Sequence, residues 1–383
     1  MIGAGQAGLT AAHYLQARGV APHGEFIVLD ANVGPGGAWR QRWDSLTFQS
    51  AHDIHPLPRF PLGEVDPSEP SSSVVSRYYG AFEEARNLPV VRPVKVLAVR
   101  DEGDQFHLET DRGPFRSRVV INATGTWNNP FIPHYPKVET FRGTHFHTKN
   151  FRDANQFAGQ RVLVVGGGTS AIQHIQELAQ GGVETVWSTR GVPRWTGVPF
   201  DEEWGAAVED RVAKRTSAGL RTLSVVAETG IPLSPRYAPD VKSGLLISRG
   251  PILNFTETGV VLANGGPDGA CIFPQGEAEN LIDTATREKI PALPGGPVES
   301  GGDAWEVPLD AVLWATGFRP SISHLAPLKL REKTGGIRIA KDGVSVTRSP
   351  RLLFTGYGAS ASTLGATRAG RQAAAEAVRI TSR

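Results

Sequence analysis

Short apolar runs punctuated by glycine-rich turns recur along the chain, and their pattern predicts its elements. Phe26-Ile27-Val28-Leu29 and Arg161-Val162-Leu163-Val164-Val165 are near-continuous apolar segments of strand length. Runs of this kind fit parallel strands buried on both faces, because a half-exposed strand would alternate polar and apolar positions. Glu184–Ser188, Val119–Asn122, Val312–Trp314 and Leu352–Phe354 read as further strands. Helical stretches run through Leu9–Leu15, through Thr169–Leu178, and along an Ala-rich segment after Leu364. Strand, turn, helix and strand in repeated succession predict an α/β fold with parallel sheets.

The turns add chemistry to this pattern. Gly3-Ala4-Gly5-Gln6-Ala7-Gly8 is a GxGxxG run that opens the first helix. In a Rossmann βαβ unit the first glycine permits the tight turn, the second admits a pyrophosphate, and the third lets helix and strand pack closely. The helix N-terminus then offers N–H groups to the phosphates. The Phe26–Leu29 strand ends at Asp30, 22 residues beyond Gly8, where an acid would hold a ribose hydroxyl. A second, independent run, Gly166-Gly167-Gly168-Thr169-Ser170-Ala171, follows the Arg161–Val165 strand as GxGxxA. After the next strand there is no acid; Thr189, Arg190 and Arg194 follow instead. An arginine there can pair with a 2′-phosphate that an acid would repel, which predicts NADPH over NADH. One departure is plain: only Met1-Ile2 precede Gly3, where such a fold needs a strand of about five residues. The first central strand is therefore expected to be truncated here, with the native start lying upstream.

Composition narrows the partners. Of 383 residues, 40% are hydrophobic and 20% charged, and 40 Lys and Arg against 38 Asp and Glu leave a net charge of +2. No basic stripe supports nucleic acid as a partner, and no run approaches the ~20 apolar residues of a membrane span. The single cysteine, Cys271, excludes an internal disulfide, a CxxC pair and a cysteine metal cluster. No metal site and no signal peptide are expected, and the expected location is cytoplasmic.

Gly34-Pro35-Gly36-Gly37-Ala38-Trp39-Arg40 follows the first acid directly, and Phe141-Arg142-Gly143-Thr144-His145-Phe146-His147-Thr148-Lys149-Asn150-Phe151 matches FxGxxxHxxxF. On these residues the chain resembles the two-dinucleotide-binding flavoproteins, specifically the flavin-containing monooxygenase group with the YUCCA and Baeyer–Villiger enzymes. The resemblance implies FAD at the first fingerprint and NADPH at the second. It implies Gly37 and Trp39 beside the flavin, and cofactor contacts at the Ala-Thr-Gly turns Thr124-Gly125 and Thr316-Gly317. Gly356 would lie near the flavin as well, although disulfide reductases carry Gly-Asp where this chain has Gly356-Tyr357. The Phe151-Arg152 ending departs from the Baeyer–Villiger pattern and favours a nitrogen or sulfur substrate.

Relatives in that group place an Asn after the Trp motif; here Gln49 or Ser50 would have to donate its hydrogen bond. His147 is expected to organise the domain linker, and Trp195, Phe200 and Trp204 are candidate pocket residues. The expected domains are an FAD domain split into 1–145 and 308–383, with an NADPH domain at 146–307 between them. The implied reaction is NADPH-dependent formation of a peroxyflavin that oxygenates a small nitrogen, sulfur or carbonyl substrate. An NADPH–flavin reductase and a catalytically idle flavoprotein remain the alternatives. Oligomeric state is not legible.

Overall fold

The computed structural model describes residues 1–51, 54–196, 202–223, 230–233, 235–263, 275–276, 290, 292–298, 304–361 and 363–382. Cys271, Phe200 and Ser362 lie outside the described residues, as does the side chain of Trp204. The chain forms two compact units: Met1–Asn129 with Glu202–Leu223 and Arg319–Arg383, and Pro130–Asp201 with Ser224–Phe318.

In unit 1 the parallel strands lie side by side in the order Val90–Val91, Val28–Leu29, Ile2, Val120–Asn122 and Ser349–Phe354. Ser345–Val346 adds an antiparallel edge. The expected short first strand is visible: Ile2 occupies the central slot by itself, bridging both Leu29 and Asn122. Its N–H donates to Ile121 O at 2.9 Å, and its carbonyl accepts from Ala123 N–H at 2.8 Å. Side chains alternate across this sheet. Val120, Leu352 and Phe354 face the antiparallel strands Val96–Asp101 and Phe106–Thr110, burying Val99, Phe106 and Leu108. Ile121 and Leu353 face the other way, onto the helices Gln6–Ala17 and Thr363–Thr381. That helix pair meets along alanines, and a methyl added at Gly370 would lie 2.9 Å from Ala7 O. A third helix, Ser71–Ala85, packs Val75, Tyr79 and Phe82 against Leu9 and Val28. Each fully buried side chain of this size contributes roughly 1.5–3 kcal/mol.

Unit 2 repeats the plan. Its parallel sheet runs Thr144–His147, Ala311–Trp314, Arg161–Val165, Glu184–Ser188. Leu163, Val165, Val186, Val312 and Trp314 pack against the antiparallel strands Ile252–Phe255, Gly259–Ala263 and Ala304–Pro308. The Thr169–Gln180 helix packs against the Arg161–Val165 and Glu184–Ser188 strands, burying Ala171, Ile172, Ile175 and Leu178. The strands Thr144–His147 and Ala311–Trp314 are hydrogen-bonded members of this one sheet. The chain crosses between units after Asn129, Asp201, Leu223 and Phe318, whereas the sequence reading set boundaries after residues 145 and 307. The first and last crossings follow an Ala-Thr-Gly turn closely, four residues past Gly125 and one past Gly317.

Candidate dinucleotide-binding sites

The first glycine turn divides its labour among the three glycines. Gly3 has φ +97°, and a methyl there would lie 2.5 Å from Ala123 O. At Gly8 a methyl would meet Gly3 O at 2.0 Å, so the helix can approach the strand only with hydrogen at this position. Gly5 differs: nothing lies within 4 Å of where its methyl would point. The turn thus leaves open space at the glycine a pyrophosphate would approach. Gly5 caps the Gln6–Ala17 helix without a side-chain hydrogen bond, so no capping side chain occupies its first-turn N–H groups. Gly37 packs onto the same turn, since a methyl there would lie 2.9 Å from Gly5 Cα. These residues fit the diphosphate of a dinucleotide.

Asp30 lies where predicted, at the end of the Val28–Leu29 strand, and is buried. Its carboxylate is already engaged. Arg92 Nε donates to Asp30 Oδ2 at 2.7 Å and both Nη groups grip Glu83, while Asn32 Nδ2 reaches Asp30 Oδ1 at 3.3 Å. The chain continues outward: Gln41 Nε2 donates to Asn32 Oδ1 at 2.8 Å, and Trp127 Nε1 donates to Gln41 Oε1 at 2.8 Å. Arg92, Asn32, Gln41 and Trp127 escaped the sequence reading because no spacing rule links them; only Trp127, two residues past the Thr124-Gly125 turn, carried a signal. Trp39 itself starts a short 3-10 turn. Thr124 Oγ1 donates to Ser321 O at 2.8 Å, which ties the first Ala-Thr-Gly turn to the returning chain. Gly356 follows the Ser349–Phe354 strand, two residues before the turn that leads into the last helix.

In unit 2 Gly166 has φ +145°, and a methyl there would meet Ala315 O at 2.2 Å. Gly168 caps the Thr169–Gln180 helix, again without a side-chain hydrogen bond, and Ala171 is fully buried as the third fingerprint position requires. Thr189 turns inward, its hydroxyl bonded to Gly191 O and Ser248 Oγ. Arg190 and Arg194 are exposed, and no carboxylate among the described residues pairs with Arg190. Ser248 was missed in the sequence; it arrives from a distant loop.

The FxGxxxHxxxF motif is a packing device. Phe141 and Phe151 are buried, and a methyl at Gly143 would meet the Phe141 ring and Asp310 O. His147 ends the Thr144–His147 strand; its Nδ1 accepts from Lys149 N–H at 3.1 Å, so its Nε2–H donates to Gly317 O at 3.1 Å. Burial holds its pKa below the usual imidazole value, against the raising effect of the Gly317 bond and with a smaller lowering by Lys149. A neutral ring bonded to backbone on both nitrogens is built to hold a turn. His147→Ala removes both bonds, although Gly317 O keeps the one it accepts from Phe131 N–H at 3.0 Å, and is expected to destabilise the protein by about 1 kcal/mol; His147→Gln should recover part of this in a denaturant melt.

The proposed donors are placed less favourably. Gln49 is exposed, and the Ser50 hydroxyl is bonded to Thr47 Oγ1. Trp195 is buried and packs against Tyr237 at 6.2 Å between ring centres.

Two units, each with a glycine turn at the end of a parallel strand and an uncapped helix behind it, define a two-dinucleotide-binding fold. Residues 1–199 match the pyridine nucleotide-disulphide oxidoreductase family, and the chain belongs to that family. Its lone cysteine leaves it without the paired thiols of internal disulphide chemistry. The uncharacterized oxidoreductase CzcO of Bacillus subtilis is 29% identical over 180 residues, 47% of this chain and 51% of that protein. Indole-3-pyruvate monooxygenase YUCCA1 of Oryza sativa subsp. japonica is 30% identical over 188 residues, 48% of this chain and 45% of that protein. The chain spans about half the length of the curated relatives it matches. Among solved structures, a flavin-containing monooxygenase from Stenotrophomonas maltophilia aligns with 100% of this chain and 97% of its own, at 28% identity and a TM-score of 0.72. No helix among the described residues is long and apolar enough to cross a membrane.

Proposed function

We propose that this chain is an NADPH-dependent flavin monooxygenase that uses oxygen on a small nitrogen, sulfur or carbonyl substrate. The observation that carries this reading is the duplicated turn, with a second glycine in unit 1 that faces open space. Similarity to flavin monooxygenases over nearly the full length of a solved chain supports the same reading. FAD would be held by Gly3, Gly5, Gly8 and Asp30, flanked by Gly37, Trp39, Thr124, Gly125 and Gly356. NADPH would be held by Gly166, Gly168, Ala171, Thr189 and Arg190, with Thr316 and Gly317 on the adjoining turn.

When bound, the pair supplies hydride transfer from NADPH and reactivity toward oxygen. The chain's own part is to bind, orient and exclude water. First-turn N–H groups without a capping side chain would take the phosphates, and His147 would hold the Thr316-Gly317 turn as a positioning residue. Gln49 remains the candidate side chain for a hydrogen bond to the flavin. The proposed setting is the cytoplasm, where NADPH is supplied.

Arg190 reads the 2′-phosphate in this scheme. A charged guanidinium–phosphate contact contributes on the order of 1.5–3 kcal/mol. Arg190→Ala should therefore raise the KM for NADPH roughly tenfold or more and leave that for NADH little changed; equal losses would remove the assignment. The reaction itself is tested with NADPH, isotopically labelled oxygen and a thioether or tertiary amine. Label in the product supports the monooxygenase. Hydrogen peroxide alone with fast quinone reduction points to the reductase, and no NADPH oxidation by FAD-loaded protein points to an idle flavoprotein.

A further inference from the structure

Two of the partly buried arginines of unit 1, Arg92 and Arg42, differ in how their charge is met. Arg92 is held by Asp30 and Glu83 together. Arg42, directly after the Trp39–Gln41 turn, has no such partner. Its guanidinium carbon lies 4.2 Å from the centre of the Trp127 ring and 5.6 Å from that of Trp39. Its Nε is sealed from solvent without a hydrogen-bond partner, and no carboxylate among the described residues pairs with the group. Burial lowers its pKa to about 10, which leaves it charged at neutral pH. Two indole faces offset only part of the cost of taking a guanidinium out of water, and the remainder calls for an anion.

The location says where that anion belongs. Gln41, next in the chain, is bonded to Trp127 and through Asn32 to Asp30. Gly37, on the same loop, lies against Gly5. The cation therefore sits on the loop that flanks the open glycine turn.

We propose that Arg42, between Trp39 and Trp127, is an oxyanion-binding residue of unit 1, taking either a dinucleotide diphosphate or the carboxylate of an acidic substrate. The guanidinium offers parallel N–H donors that match either oxyanion, and the flanking indoles exclude competing water. The first source rests on the flavin reading above; the second does not require it.

The test uses purified wild type, Arg42→Lys and Arg42→Met. Tryptophan fluorescence follows titration with inorganic pyrophosphate and with benzoate, and free-flavin fluorescence on dilution follows FAD release. Wild type should bind one of the two anions saturably, Arg42→Met should weaken that binding at least tenfold, and Arg42→Lys should lose less. A pyrophosphate response with a parallel loss of FAD affinity identifies the diphosphate as the ligand. A benzoate response with unchanged FAD affinity identifies a substrate carboxylate. Arg42→Met should melt no lower than wild type, because an apolar chain removes a charge that no carboxylate among the described residues pairs with. Saturable binding of neither anion by wild type, equal binding by wild type and Arg42→Met, or a markedly lower melt in Arg42→Met overturns the proposal. A protein that takes benzoate through Arg42 yet never takes FAD would sink the flavin reading alone.

Discussion

Gly5→Ala should give a protein that folds and melts like wild type yet holds at least tenfold less FAD. Its methyl would point into space where nothing lies within 4 Å, and the backbone there, at φ −80°, suits alanine. The substitution meets no clash in the fold but fills the approach a diphosphate needs; a loss of about 1.4 kcal/mol is already tenfold in affinity. Gly8→Ala should behave differently. Its methyl would lie 2.0 Å from Gly3 O, a backbone atom of the central ladder, so helix and sheet must separate. Overpacking against side chains costs roughly 1–3 kcal/mol, and backbone yields less readily. Gly8→Ala should therefore lower both the melting temperature and the flavin content. Gly166→Ala should spare flavin and weaken NADPH binding, because its clash is with Ala315 O in unit 2. Flavin absorbance per protein, a thermal melt and an NADPH titration distinguish the three variants. Full FAD in Gly5→Ala would end the assignment of that turn to the flavin.

Acid should destabilise unit 1 through one histidine. His324 is buried, its Nε2 is bonded to Asn122 Oδ1 at 2.8 Å, and burial lowers its pKa to about 4 from 6.5. Because the folded value is the lower one, the unfolded chain takes the proton first. The neutral ring's contribution is complete above pH 6.5 and is lost as pH falls toward 4. A shift of this size corresponds to about 3 kcal/mol. His13, His145 and His147, whose values are also lowered chiefly by burial, act in the same direction. His324→Gln keeps a donor toward Asn122 and removes the titration. Denaturant melts between pH 7 and 4 should show a slope in wild type that is flatter in the variant by about that amount. Identical slopes would mean that the ring protonates without cost. Asn122 lies in the strand leading to Thr124, and its Nδ2 donates to Thr124 Oγ1 at 3.1 Å, so FAD retention is expected to follow the same pH curve.

The glycine fingerprints were legible because each role is local. A positive φ at Gly3, a close approach at Gly8 and an open side at Gly5 depend on a few neighbouring residues, and the GxGxxG spacing encodes all three. His147, expected from its motif to organise the domain linker, ends a strand whose partner strand runs into the second Ala-Thr-Gly turn, a pairing that no spacing along the chain announces. The unit boundaries were not legible. Apolar runs such as Val312–Trp314 show that a strand is buried, but not which sheet buries it, so the strand fell on the wrong side of a boundary drawn from motifs.

From the sequence alone came the α/β class, the two dinucleotide turns, the acid after the first and the arginine after the second, because period and spacing report short-range geometry. Only the tertiary structure showed that Asp30 is shared with Arg92, that Ser50 is occupied by Thr47, and that Arg42 lies beside two indoles with no carboxylate partner among the described residues. Those facts depend on residues up to 85 positions apart meeting in one place, as Arg42 and Trp127 do. Hydrogen bonds and charge compensation between distant segments leave no period along the chain, so packing alone decides them.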